Sequence, residues 1–195
     1  TAVFGLMDLV GIDISVHVIE SLISHLPEDD PFHDIVGTGE DIIQEMIADG
    51  YTGRKGKGGF YRLNKEGGKR VKEARDLTTG EYAPADRKAA FPSARMGKQG
   101  LGPLMDYPDE GAAFVSDILL DSLAYAAHLV PDVTDDVHSI DSAMKAGFNW
   151  KRGPFEMMDS IGAASMVERL EASGRSVPDF LRTAADNGGF YSIEE

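Results

Sequence analysis

The chain has 195 residues, 42% of them hydrophobic and 27% charged, with a formal net charge of -14 and no cysteine. No apolar run approaches the ~20 residues needed to span a bilayer, and the lack of cysteine excludes disulfides, thiolate metal sites and thiol nucleophiles. Residues 1 to 50 hold no Lys or Arg against eleven acids, whereas residues 51 to 75 hold nine bases against two acids, a balance that excludes a general nucleic-acid binder and leaves local anion contact open.

The first predicted helix follows Asp13 as its cap, with Val16, Ile19, Ile23 and Leu26 at helical spacing and Pro27 closing the run. A second follows Thr38, where Thr38 and Asp41 can form a capping box ahead of Ile42, Ile43, Met46 and Ile47, and Gly50 terminates it. Gly53 to Tyr61 is too rich in glycine for a helix and reads as a tight loop delivering Phe60 and Tyr61 to a core. Lys65 to Arg75 reads as a short polar helix, after which Pro84, Pro92, Gly97, Gly100 and Pro108 punctuate a connector.

The longest apolar element runs from Phe114 to Val130, with Val115, Leu119, Leu123, Ala126, Ala127 and Val130 as one stripe and Asp117, Asp121 and His128 opposite. A further helix spans about Thr134 to Ala146 with Gly147 as its cap, a short element carries Phe155, Met157 and Met158, and a helix through Met166, Val167 and Leu170 stops at Gly174. The last helix opens at Ser176, with Asp179 completing a capping box. β-strand signals are nearly absent, so the expected fold class is all-α.

An internal repeat underlies this order. Phe4-x-x-Met7-Asp8-x-x-Gly11 matches Phe155-x-x-Met158-Asp159-x-x-Gly162. Ile47 to Gly50 matches Ala184 to Asn187, and Gly58-Gly59-Phe60-Tyr61 matches Gly188-Gly189-Phe190-Tyr191 without the basic loop between. A duplicated helical module is the simplest account. The helices after residue 112 have no counterpart before Thr1, so the first copy is expected to be truncated at its N-terminus and to expose an apolar groove. Asp8 and Asp159 are expected to accept backbone N–H bonds at their helix-to-helix turns.

No chemical motif is self-sufficient. Gly37-x-Gly39 is followed by Ile42 where a dinucleotide fingerprint needs its third glycine, and no strand precedes it. Lys57 is followed by Gly58, so a phosphate loop lacks its Mg-liganding Ser or Thr, although a generic anion nest stays open. His17, His25, His33, His128 and His138 form no zinc pattern, and no Gly-x-Ser-x-Gly occurs. Neither a catalytic residue nor a metal ligand is expected.

The strings Phe4-x-x-x-Asp8-x-x-Gly11-x-Asp13, Gly53-Arg54-Lys55-Gly56-Lys57-Gly58-Gly59-Phe60-Tyr61 and Ala146-Gly147-x-x-x-x-x-Gly153-Pro154-Phe155-x-x-x-Asp159-x-x-Gly162 resemble the C-terminal domain of 3-hydroxyacyl-CoA dehydrogenases. Two successive copies resemble the larger bacterial fatty-acid-oxidation chains. The resemblance implies that catalysis and NAD binding belong to an absent N-terminal domain and that no cofactor is held here. In this family a conserved Asn sits on the first helix of the module, and its matching position is Ser116, to which no catalytic role is assigned. The Gly-Pro that leads the second copy is replaced by Ala2-Val3 in the first.

The resemblance also implies an acyl-CoA substrate, a possible enoyl-CoA hydratase domain in the same protein, a cytoplasmic location and an intramolecular pseudo-dimer of the two modules. Arg54, Lys55 and Lys57 are candidates to contact coenzyme A or a partner domain. Expected boundaries are 1-63 for the first module, 64-111 for the connector and 112-195 for the second module. Thr1, with no initiator Met or basic-apolar leader, suggests a chain cut from something longer. The competing reading is a stand-alone helical scaffold or a coenzyme A binding module.

Overall fold

A computed structural model describes residues 3–36, 39–65, 68–85 and 91–191. The chain divides into two compact units, Thr1–Lys88 and Ala89–Glu195. The segment 64–111, expected as a connector, therefore splits: its first part completes the first unit and its second part opens the second unit.

In the first unit α1 (Val3–Val10) turns at Gly11 into α2 (Ile12–His25), followed by α3 (Phe32–Ile35) and α4 (Glu40–Ala48). The turn needs Gly11 because its φ is 117°, a value that a Cβ would strain. Asp13 does not cap α2: the N-cap is Gly11, and Asp13 lies inside the first turn. Gly50 ends α4 as expected, at φ 81°. The capping box expected of Thr38 lies outside the described residues. Ile12, Met46 and Phe60 form a small buried core, with Met7, Ile42 and Ile43 packed against it.

The fold is mainly helical, as expected, but it also contains a sheet. Strands β1 (Tyr61–Asn64), β2 (Val71–Arg75) and β3 (Tyr82–Pro84) form an antiparallel sheet in that order. The polar helix expected over Lys65 to Arg75 is thus wrong, and the reason lies in cross-strand chemistry. Arg62 stands opposite Glu73 in register and donates to it at 2.7 Å, and Asn64 donates to the other carboxylate oxygen at 2.9 Å. On the same strands the Lys72 ammonium lies 3.8 Å from the Tyr61 ring centroid. The turn after β2 is set by Asp76, whose carboxylate accepts the amides of Thr78 and Thr79.

The second unit begins with a 3-10 segment, Pro92–Lys98, and α5 (Leu101–Met105). Then come α6 (Glu110–His128), α7 (Val137–Phe148), α8 (Pro154–Ile161), α9 (Ala163–Ala172) and α10 (Asp179–Asp186). Helix α6 starts four residues earlier than the apolar pattern indicates, because Asp109 caps it through the amide of Ala112 and also accepts the amide of Ser93. It packs against α8, α9 and α10. Leu120, Leu123 and Ala127 on α6, Phe155 and Met158 on α8, Met166 and Leu170 on α9 and Leu181 on α10 form one core.

Two caps differ from expectation. Helix α7 is capped by Asp136, which accepts from His138 and Ser139, and it ends at Asn149 with φ 55° rather than at Gly147. Helix α10 begins after Pro178, so Ser176 caps nothing.

Glu73 is 93% buried, and the Asn64 amide and Arg62 guanidinium beside it hold its carboxyl below the usual 4.5. A carboxyl depressed in the folded state contributes stability that is complete above its unfolded pKa and is lost as pH falls through its folded pKa. Glu73→Gln is therefore expected to lower the denaturation midpoint at neutral pH. The gap to the parent chain should shrink once the pH drops below 4.5, the ordinary value of the group. Denaturant titration across that pH range checks this, and a gap independent of pH would contradict the assigned ion pair.

Candidate functional site

The same backbone clamp occurs once in each unit. In the first, the Asp8 carboxylate on α1 accepts the amides of Phe60 and Tyr61, both at 2.8 Å. In the second, Asp159 on α8 accepts the amides of Phe190 and Tyr191 at 2.8 and 3.0 Å. Both carboxylates do accept backbone N–H groups, but the donors come from the distant Gly-Gly-Phe-Tyr strings and not from the adjacent turn. Each clamp seats an aromatic pair: the Phe4 and Phe60 ring centroids are 4.4 Å apart, and those of Phe155 and Phe190 are 4.9 Å apart.

Glycine before the aromatic pair is a steric requirement of the clamp. A Cβ on Gly59 would strike Asp8 Oδ1, and a Cβ on Gly189 would come within 2.9 Å of Asp159 Oδ1. The helix ends that precede the clamps also correspond: Tyr51 donates to Met46 O at 2.7 Å and Gly189 to Ala184 O at 2.8 Å. These bonds align Gly50 with Gly188, one residue away from the sequence alignment of Gly50 with Asn187.

The first unit alone inserts the basic loop between helix and clamp. An isolated bridge between Gly53 and Gly58 closes it. Its amides are largely spent internally: Gly53 donates to Gly58, Arg54 to Asp8, Gly56 to Gly53 and Lys57 to Gly50. These four N–H groups are therefore taken by the protein's own carbonyls. The three candidate side chains do not converge. Lys55 pairs with Asp13 at 2.8 Å and so holds that carboxyl below its ordinary value, while Lys57 turns toward the Tyr51 ring at 5.9 Å. Arg54 is exposed, and among the described residues its guanidinium has no partner.

Ser116 lies on the second turn of α6, half-buried beside a shallow depression lined by Met105, Tyr107, Pro108 and Asp109. The histidines have local partners: His17 pairs with Glu20, His25 with Ser21 and Ser24, His33 with the Pro27 carbonyl, His128 with Tyr125 and His138 with Ser142. Among the described residues no cluster of His, Asp or Glu could hold a metal ion. Among the described residues the sheet is antiparallel, and no glycine-rich turn leads from a strand into a helix.

Asp141 escaped the sequence reading. It is fully buried, accepts the amides of Phe155 and Glu156 at the start of α8, and also accepts the Tyr191 hydroxyl at 2.7 Å. Burial and the Asp141 carboxylate push the Tyr191 phenol well above its ordinary value. The available signal was an acid inside the apolar stripe of α7, beside Val137, Ile140 and Met144.

This helical unit, built around an aspartate clamp, defines the class of domain, and comparison supplies its family. Residues 114–186 match the model of the 3-hydroxyacyl-CoA dehydrogenase C-terminal domain. A Rickettsia felis protein bearing the name of a fatty acid oxidation complex trifunctional enzyme is 35% identical over 93% of this chain and 25% of its own length. A Rickettsia prowazekii protein with the same name is 36% identical over 81% of the chain and 21% of its own. A Bacillus subtilis protein named as a 3-hydroxyacyl-CoA dehydrogenase is 32% identical over 100% of the chain and 25% of its own. Residues 114–186 are thus a 3-hydroxyacyl-CoA dehydrogenase C-terminal domain, and the chain as a whole is similar to the corresponding region of these relatives. It spans about a quarter of the length of these relatives.

The clamp yields a direct comparison. Gly59→Ala is expected to destabilise the first unit by about 2 kcal/mol or more, because the new methyl displaces the Asp8 carboxylate and leaves the Phe60 and Tyr61 amides unpaired. Gly97→Ala, where a Cβ meets nothing within 4 Å, should stay within about 0.5 kcal/mol of the parent. Hydrogen exchange at Phe60 and Tyr61 together with denaturant titration measures both, and equal effects would remove the steric argument.

Proposed function

We propose that this chain is the substrate-cleft and assembly region of an NAD-dependent 3-hydroxyacyl-CoA dehydrogenase, which oxidises the 3-hydroxyl of an acyl-CoA thioester to a ketone in fatty acid β-oxidation. The family match over residues 114–186 carries this reading. In this reading the nicotinamide cofactor and the residues that move the proton and the hydride belong to a separate N-terminal domain of a longer protein. The Rickettsia relatives, named as trifunctional enzymes, support further activities in the same polypeptide, among which we place an enoyl-CoA hydratase domain. The chain alone is inactive.

The two units are copies of one module. The paired clamps, the paired aromatic contacts and the matching helix ends support this. The basic loop, present in one copy alone, is the place where the first unit contacts coenzyme A or a neighbouring domain. Arg54 makes that contact, with Lys55 and Lys57 on its flanks.

Two measurements test the reading. Purified chain mixed with NAD and a 3-hydroxyacyl-CoA is expected to produce no reduced cofactor, and stoichiometric turnover would overturn the assignment of chemistry to another domain. Calorimetric titration of coenzyme A at low salt is expected to show salt-sensitive binding that Arg54→Ala abolishes. No heat at low salt would remove the loop from the ligand site and leave only its contact with a neighbouring domain.

A further inference from the structure

The small sheet of the first unit has two unlike faces, and its register assigns the residues of each. Arg62, Glu73 and Tyr82 share one face, where Arg62 pairs with Glu73 at 2.7 Å and its guanidinium carbon lies 4.1 Å from the Tyr82 ring centroid. Alternation along the strands sends Tyr61, Leu63, Lys72, Ala74 and Ala83 to the other face. The solvated face of an antiparallel sheet is ordinarily polar, but only Lys72 is charged here. Leu63 is 59% exposed, Ala83 is exposed as well, and Tyr61 lies half-buried with the Lys72 ammonium 3.8 Å from its ring centroid.

Cations surround this apolar centre. Lys65, Lys69, Arg70 and Lys72 are all exposed, and among the described residues none of them has an ion-pair partner. The neighbouring bases are engaged: Arg62 with Glu73, Arg75 with Glu45 and Lys55 with Asp13. In a chain of net charge -14 this surplus reverses the local sign. An apolar centre with a charged rim is the anatomy of a protein interface. A second copy would bring the same cations against these, a like-charge cost that disfavours it. A small phosphate-bearing ion would satisfy the cations and leave Leu63 in water. A protein surface rimmed with carboxylates satisfies both. Rim charge mainly speeds encounter, which serves a chain arriving by diffusion more than a tethered domain already at high effective concentration.

We infer that this open face of the sheet docks a separate protein chain through a surface whose apolar centre is flanked by Asp and Glu. Leu63 is the apolar anchor, and Lys65, Lys69, Arg70 and Lys72 form the charged rim. The sheet's register defines the seat, so the inference does not rest on the dehydrogenase reading, and it uses none of the side chains assigned to coenzyme A.

The probe is a synthetic peptide with Leu-Phe between two Asp-Glu-Asp blocks, and the target is the full natural protein. Calorimetry at low salt is expected to show it binding about tenfold more tightly than the same peptide with Ser-Ser at its centre, and about tenfold more tightly than inorganic tripolyphosphate. Lysine acetylation read by mass spectrometry should find Lys65, Lys69 and Lys72 reactive in the protein alone and shielded once the peptide is added. Leu63→Asp and Lys72→Glu should each weaken binding about tenfold with an unchanged circular dichroism spectrum. Lys98→Glu, at an exposed base of the second unit, should leave binding as it was. No binding, equal binding of the Ser-Ser peptide or of tripolyphosphate, or full binding by the Leu63 and Lys72 variants overturns the proposal. Phosphatidylserine vesicles that bind more tightly than the peptide would make the face a lipid seat and overturn it too. So would shielding of the three lysines in the natural protein without peptide, because one of its own domains or a second copy would then be the occupant.

Discussion

The clamp of one carboxylate on two successive amides organises each unit, because it fixes a helix to a distant extended segment. An ionised carboxylate accepting two N–H bonds is stronger than a pair of neutral contacts, and a group buried as deeply as Asp8, at 4% exposure, cannot lose those partners cheaply. The bond also dictates sequence around it. Glycine must precede the aromatic pair so that the backbone can approach the oxygen, and glycine must follow the aspartate by three residues so that the next helix can turn away at positive φ. Phe60 and Phe190 then fall into place against Phe4 and Phe155, which converts a polar contact into an apolar core.

With this clamp in common, the two units differ in what is built around it. The second has a 19-residue helix, α6, across its helices, and in its core Phe155, Met166, Leu170 and Leu181 have no exposure. The start of α8 is further tied by Asp141, which holds the first amides of that helix and the Tyr191 hydroxyl together, so the clamp and the α7–α8 turn share a neighbour. The first unit has a three-residue buried core and extends it sideways with a small sheet. The sheet is attached to the clamp itself: β1 begins at Tyr61, one of the two clamped residues, and the Tyr82 hydroxyl of β3 donates to the Gly59 carbonyl.

Much of this was legible in the sequence, for reasons that can be located. Helix α6 was visible because an aliphatic stripe at helical spacing survives any detail of its ends, and the two matching strings were visible because the clamp fixes residue types at fixed spacings. Its start was misplaced because Asp109 lies beyond the apolar pattern and announces itself only by capping. The sheet was missed because β2, Val71-Lys72-Glu73-Ala74-Arg75, has the composition of a solvated helix; its register comes from Arg62 opposite Glu73 and from Lys72 against Tyr61, partners that lie across the turn. Gly67-Gly68 inside the supposed helix was the neglected sign, since two glycines in an interior cost about 2 kcal/mol relative to alanine. For the candidate site, the positions of Arg54, Lys55 and Lys57 were legible, but their divergence was not, because Asp13 and Tyr51 come from other elements.

The basic loop also supports the clamp through its backbone. Its glycines bring the backbone against α1, where a Cβ on Gly53 would lie 2.5 Å from the Asp8 carbonyl oxygen, and that same carbonyl accepts the Arg54 amide at 2.8 Å. Asp8 is therefore held through its carboxylate by the strand and through its carbonyl by the loop, while Lys55 closes the turn by pairing with Asp13 five residues further on. The Gly-Arg-Lys-Gly string reads as structural support for the clamp first, with Arg54 left facing solvent as the part of it free to meet something else.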